Sequence, residues 1–276
     1  MIQIVIAAIG LFCGLLIYIA FIKIPKKVQG LEKTEEIASI LPGLNCGGCG
    51  YPGCFGFAQA LTKDPELINN VSCAFVMHDD AKIKRLEEAL GMALDASTFR
   101  KMAVVRCTGD SELIYDYQGT KTCRANATIY GGHKKCIFGC LGFGDCSRVC
   151  PMDAISTDND KRIAIIDEEK CTGCGICAKQ CPQNLIDLIP VDTKIVYLCN
   201  YQSLRDISGR EKCSFGCIHC RKCYKACEEE GIHAIEWDKA KASPIINQDK
   251  CTICDKCIQV CPQNTLAYSV KQPIHK

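Results

Sequence analysis

The sequence predicts an α+β chain made of one long apolar helix, a small and mostly helical module, and two tandem units in which short strands flank cysteine-rich loops. Three observations carry this expectation. Residues Ile4 to Ile22 contain no charge and no proline. The spacing Cys-x2-Cys-x2-Cys-x3-Cys occurs in full at Cys171–Cys181, Cys217–Cys227 and Cys251–Cys261. A Val-rich segment ending in cysteine, Ala103–Cys107, returns as Ile195–Cys199. The expected boundaries are 1–25 for the apolar helix, 26–45 for a linker with a short helix and 46–98 for the module. The two repeats are expected at 99–190 and 191–276.

Of 276 residues, 25 are cysteine. Dense cysteine means either a disulfide framework in an oxidising compartment or bound metal, and regular Cys-x-x-Cys runs favour metal. The 33 basic and 31 acidic residues leave a net charge of +2, so no global field points to nucleic acid. Nine Phe, nine Tyr and one Trp make a thin aromatic supply. Metal ligation is then expected to contribute to folding, and removing iron to unfold most of residues 130–270.

Ile4–Ile22 is long enough, as a helix rising about 1.5 Å per residue, to cross a hydrocarbon core. A cleaved signal peptide would carry its basic residues before the apolar run. Here Lys23, Lys26 and Lys27 follow it, which predicts an uncleaved single-pass anchor in the inner membrane with the bulk of the chain in the cytoplasm. Gly10 and Gly14 permit close helix–helix approach in lipid or are simply tolerated there. The span lacks Asp, Glu, Lys, Arg and His, so this chain alone should not move ions. Cys13 reads as an apolar filler.

Leu31–Leu41 reads as a short amphipathic helix ended by Leu-Pro-Gly. Beyond it, Cys46, Cys49, Cys54 and Cys73 are spaced to surround one [4Fe–4S] cluster, with glycines that let backbone N–H groups approach the sulfurs. Zinc competes for four thiolates, but structural zinc sites pair two short Cys-x-x-Cys units, and Cys73 stands alone behind the helix-like stretch Phe55–Thr62. Residues 79–94 read as an exposed, charged helix packed on Ile83, Leu86 and Leu90.

In the run Cys-x2-Cys-x2-Cys-x3-Cys-Pro of bacterial ferredoxins, three cysteines hold one cluster and the fourth reaches the neighbouring one. This predicts two bacterial-type 2[4Fe–4S] ferredoxin units. In the first, the widened run Cys136-x3-Cys140-x5-Cys146-x3-Cys150, with Phe143 where a middle cysteine could stand, pairs with Cys171–Cys181. The expected sets are Cys136, Cys140, Cys146 and Cys181, and Cys171, Cys174, Cys177 and Cys150. In the second, they are Cys217, Cys220, Cys223 and Cys261, and Cys251, Cys254, Cys257 and Cys227. Cys136-x3-Cys140 recurs as Cys213-x3-Cys217. Hairpin signals at Ile163–Ile166 and Ile245–Ile246 fit βαβ duplications. Five clusters are therefore expected. Cys107, Cys123, Cys199 and Cys213 remain; they suggest a sixth cluster, or reduced and partly buried thiols, or an exchange of Cys213 with Cys220.

This order of modules, with Asn45–Cys54 reading Asn-Cys-Gly-Gly-Cys-Gly-Tyr-Pro-Gly-Cys, resembles the B subunit of the Rnf complex, the ion-translocating ferredoxin:NAD oxidoreductase of bacteria. The resemblance spans nearly the whole chain. It implies a component of a translocase that takes electrons from soluble ferredoxin and relays them to other membrane and cytoplasmic subunits. The alternative is a polyferredoxin-type subunit of another anaerobic membrane complex; a zinc-stabilised interaction module would be colourless. No Gly-x-Gly-x-x-Gly follows a strand, so no dinucleotide site is legible and no complete active site is expected. Lys134, Lys135, Arg210, Lys212, Arg221 and Lys222 could receive an acidic ferredoxin or form a solvated face. His133, His219 and His233 are expected at the surface, since each cluster already has four thiolates.

Overall fold

The computed structural model describes residues 10–19, 31–109, 111–158, 162–201 and 213–269, the side chains of residues 97 and 98 excepted. Residues 10–19 are helical, and their large apolar side chains from Leu11 to Ile19 stand exposed. The rest of the expected anchor, with Lys23, Lys26 and Lys27, lies outside the described residues, as do Arg210 and Lys212. Among the described residues no helix is long and apolar enough to cross a membrane.

The small module packs α1 (Leu31–Ile40) and α2 (Cys54–Lys63) against a 3₁₀ turn (Pro65–Asn69), α3 (Ala74–Met77) and α4 (Asp80–Leu90). Its core is aliphatic and aromatic: Ile37, Phe57, Leu61, Ile68, Val76, Met77 and Leu86 are all but inaccessible. The charged helix expected at 79–94 forms with Ile83, Leu86 and Leu90 inward. Asp79 caps its N-terminus by accepting from the N–H groups of Ala81 and Lys82, and Gly91 ends it in the left-handed conformation. Beyond α5 (Ala96–Phe99), the Arg100 Nε donates to the Met77 carbonyl at 2.8 Å, which ties the module to the strand that follows.

That strand, β1 (Lys101–Val105), opens the first repeat. It pairs antiparallel with β4 (Ile186–Pro190), from Lys101 opposite Pro190 to Val105 opposite Ile186. Between them β2 (Ile155–Asp158) and β3 (Ile163–Ile166) form a hairpin. The second repeat copies this plan. Its outer strands β5 (Ile195–Tyr197) and β8 (Leu266–Tyr268) pair, and β6 (Ile235–Asp238) pairs with β7 (Ser243–Ile246). Each repeat is thus strand–helix–strand twice over, with the halves interleaved. Apolar side chains on the inward faces, including Met102, Ala103, Ile155 and Ala164 in the first repeat, pack against the cysteines.

The Val-rich strands stop two residues short of Cys107 and Cys199. One further bond holds each strand end, from Arg106 N–H to the Leu185 carbonyl at 2.8 Å and from Leu198 N–H to the Thr265 carbonyl at 2.7 Å. The chain then leaves the ladder and frees both cysteines from sheet geometry.

Candidate metal centres

In the module, Cys46, Cys49, Cys54 and Cys73 line one cavity. Asn45 fixes the loop by accepting from the Cys54 N–H at 2.8 Å, and Cys73 enters from the start of α3. Burial pushes the Cys73 thiol up to about 11, with Cys49 and Cys54 close enough to add to the effect. The Cys174 loop of the first repeat borders the same cavity.

The next quartet, Cys150, Cys171, Cys174 and Cys177, gathers as the crossed pattern requires. The Cys177 thiol is pushed up to about 12 by burial and by Cys174, Cys171 and Cys150. Backbone N–H groups point at the sulfurs, from Ala103 to Cys171 Sγ at 3.4 Å and from Ala154 to Cys150 Sγ at 3.3 Å.

The structure departs from the expected grouping at the third quartet. Cys140, Cys146 and Cys181 line a cavity whose fourth cysteine is Cys123, not Cys136. The cause is Phe143. Cys140-x2-Phe143-x2-Cys146-x3-Cys150 keeps the regular spacing, with phenylalanine in the second ligand position, its ring against Tyr117 and His133. Cys123, at the start of α6 (Cys123–Ala127), lines the cavity where that thiol is missing and receives N–H bonds from Asp145 and Phe143. Thr122 caps that helix by accepting from the Ala125 N–H at 3.1 Å.

In the second repeat Cys217, Cys220, Cys223 and Cys261 line one cavity, and Cys227, Cys251, Cys254 and Cys257 line another. Cys220, not Cys213, sits in the first of these. Ala234 N–H donates to Cys227 Sγ at 3.2 Å and Thr265 N–H to Cys261 Sγ at 3.4 Å. Burial raises Cys223 to about 12 and Cys257 to about 11.

Four of the five quartets line cavities. Among the described residues no group of three or more Cys, His, Asp or Glu is tight enough for a single ion. Thiol quartets with N–H groups aimed at their sulfurs fit a cubane, whose sulfurs are tuned by such bonds.

Two expected surface residues are buried. His133 is 5% exposed with its Nδ1 2.7 Å from Asn126 Oδ1, and Lys134 is 1% exposed and donates to the Arg162 carbonyl at 2.7 Å. Their proximity to the widened run hid a polar core behind a surface-like composition. Lys135 pairs with Glu112 at 2.5 Å. His219 is half-buried and bonds the Ala242 carbonyl, while His233 is exposed.

Comparison with known proteins agrees with this geometry. Family models described as "4Fe-4S dicluster domain" match residues 135–185 and 214–267, and one described as "Putative Fe-S cluster" matches residues 41–70. The B subunit of the ion-translocating oxidoreductase complex of Methanosarcina acetivorans is 32% identical over 95% of this chain and 95% of its own length. The B subunit of the Na(+)-translocating ferredoxin:NAD(+) oxidoreductase complex of Acetobacterium woodii is 33% identical over 87% of this chain and 69% of its own. Its counterpart in the proton-translocating ferredoxin:NAD(+) oxidoreductase complex of Clostridium ljungdahlii is 31% identical over 96% and 91%. With that identity sustained along nearly the whole sequence, the chain belongs to the family of B subunits of ion-translocating oxidoreductase (Rnf) complexes, iron–sulfur proteins of electron transfer.

Proposed function

We propose that each of the five quartets holds one [4Fe–4S] cluster. On this reading the chain, anchored in the membrane by its first helix, accepts electrons from reduced ferredoxin and relays them to partner subunits that reduce NAD and move ions. Bound clusters supply one-electron chemistry without proton transfer. The chain's own part is to hold them in file and shield them. The observation that carries the reading is that neighbouring quartets abut, the first three in series and the last two as a pair. Cys46 lies within electrostatic reach of Cys174, Cys177 of Cys146, and Cys257 of Cys223. Support for the anchor comes from the helix at residues 10–19, whose apolar side chains are exposed on all sides.

Arg221 and Lys222 flank the exposed Cys220 and are themselves exposed, Arg221 stacking 5.2 Å above Trp237. They offer an acidic ferredoxin a basic landing beside a cluster. Stopped-flow reduction by reduced ferredoxin should slow as salt rises, since screening shortens the reach of charge to about 8 Å at physiological ionic strength. Arg221→Glu combined with Lys222→Glu should slow it several-fold at low salt. A salt-independent rate, unchanged in the double variant, rules out docking there.

A further inference from the structure

Outside the helix at residues 10–19, the five quartets leave four described cysteines unused: Cys107, Cys136, Cys199 and Cys213. They converge. Cys136 and Cys213 share a side-chain hydrogen bond, and Cys107 lies within electrostatic reach of both. A Cβ added at Gly216 would stand 3.0 Å from Cys213 Sγ and 3.5 Å from Cys199 Sγ, so these two sulfurs flank one backbone position. The Cys217 N–H donates to Cys199 Sγ at 3.4 Å, the same kind of bond that serves the other quartets.

The four form two repeat-related pairs. Cys107 and Cys199 each follow the first strand of a repeat by two residues. Cys136 and Cys213 each open the sequence Cys-x-Phe-Gly-Cys, at 136–140 and 213–217. The phenylalanines cross over. Phe215 of the second repeat lies on Gly109, where an added Cβ would meet its ring at 2.4 Å, and Phe138 of the first meets Tyr201 edge-on at 5.5 Å. Gly109 and Tyr201 each sit two residues beyond their strand-end cysteine. Each repeat therefore presents two thiols to the joint in the same way, and the joint is approximately two-fold symmetric.

Arg106 locks this arrangement. Its guanidinium pairs with Asp187 at 2.9 Å in the first repeat, donates to the Cys199 carbonyl at 3.3 Å and lies 5.4 Å above the Tyr197 ring in the second.

We propose that Cys107, Cys136, Cys199 and Cys213 hold a sixth [4Fe–4S] cluster, two ligands from each ferredoxin unit, at the joint between them. The proposal rests on reading the other five quartets as cluster sites. It completes the file, because Cys107 borders Cys140 of the third quartet and Cys199 borders Cys217 of the fourth.

The test is iron, acid-labile sulfide and electron paramagnetic resonance on the full-length chain prepared without oxygen. The wild type should carry about 24 irons, at four per cluster. Cys107→Ala with Cys199→Ala should remove about four and leave the remaining signals unaltered; Cys136→Ala with Cys213→Ala should do the same and serves if the first pair fails to fold. Cys107→Ala with Cys123→Ala should disturb two distinct clusters. About 20 irons in the wild type, unchanged in both same-site pairs, overturns the sixth cluster while sparing the other five. Damage confined to one cluster in the Cys107/Cys123 pair overturns this ligand set. A chain devoid of iron overturns both readings.

Discussion

At position 143 a benzyl group occupies the place that a ligand fills in the other cysteine runs, and the consequences reach 20 residues upstream to Cys123. Phe143 tilts against His133 and Tyr117, with ring centroids 5.1 and 5.7 Å away, so the loop keeps its path while losing its thiol. Cys123 is held in reach by the carboxylate of Asp145, which accepts from the Arg124 N–H at 3.0 Å. Two thiols at one corner are interchangeable in principle. Cys123→Ala should therefore strip or degrade a single cluster, visible as lost iron or a three-iron resonance signal, and Phe143→Cys added to it should restore the cluster. A double variant as iron-poor as Cys123→Ala alone refutes the substitution. The swap was partly legible in the sequence. Aligning Cys136-x3-Cys140 with Cys213-x3-Cys217 already sets Phe143 opposite Cys220 and Cys136 opposite Cys213, which removes Cys136 from the third quartet. What spacing could not supply was Cys123, because a ligand delivered from a separate helix carries no fixed interval.

Among the elements, the loop between Cys171 and Cys174 bears the tightest constraint. Gly173 sits at φ +64°, and a Cβ there would come 2.2 Å from the Lys101 carbonyl oxygen. The neighbouring Gly48 has the Cys174 carbonyl 3.1 Å from where its own Cβ would be, so module, loop and β1 meet within a few ångströms. Ile253, the equivalent of Gly173 in the second repeat, keeps the left-handed conformation at φ +58°. The loop shape is thus common to both repeats, while the demand for glycine comes from the close approach of β1. Gly173→Ala should cost on the order of 1–3 kcal/mol through strain and overpacking. It should selectively perturb the cluster on Cys150, Cys171, Cys174 and Cys177, and calorimetry with resonance spectroscopy will read both effects. A variant with wild-type melting and spectra contradicts the contact. Strands β1, β3, β5 and β7 and helix α4 were legible because apolar spacing marks them, whereas their partners β2, β4, β6 and β8 were not. The short helices carrying Cys146 and Cys257 were not, since four residues of α7 (Asp145–Arg148) or of Lys256–Gln259 give no period to read.

For the whole molecule, crossed ligands make metal and fold interdependent. Cys150 and Cys181 each leave their own run to join the other's quartet, and Cys227 and Cys261 do the same in the second repeat, so on the proposed ligand sets iron fastens the two halves of each unit together. Without iron the thiols are crowded and buried: Cys140 is raised to about 11 and Cys146 to about 12, in both cases chiefly by burial, from an ordinary value near 9. A raised thiol favours the protonated form in the folded state. Its contribution to the cluster-free fold is therefore fully present below about pH 9 and is lost as pH climbs through 11–12. The loaded chain has the opposite dependence, because ligation requires thiolate and releases these protons, so acid competes with iron for the sulfurs. Chelated, cluster-free protein should show much weaker far-ultraviolet circular dichroism over the ferredoxin units, with residual structure that declines further above pH 9. Reconstitution with iron and sulfide should restore the signal, more completely at pH 8.5 than at pH 6.5. Dichroism unchanged by chelation, or reconstitution favoured by acid, would show that the quartets are held by packing alone and that metal does not displace the thiol protons.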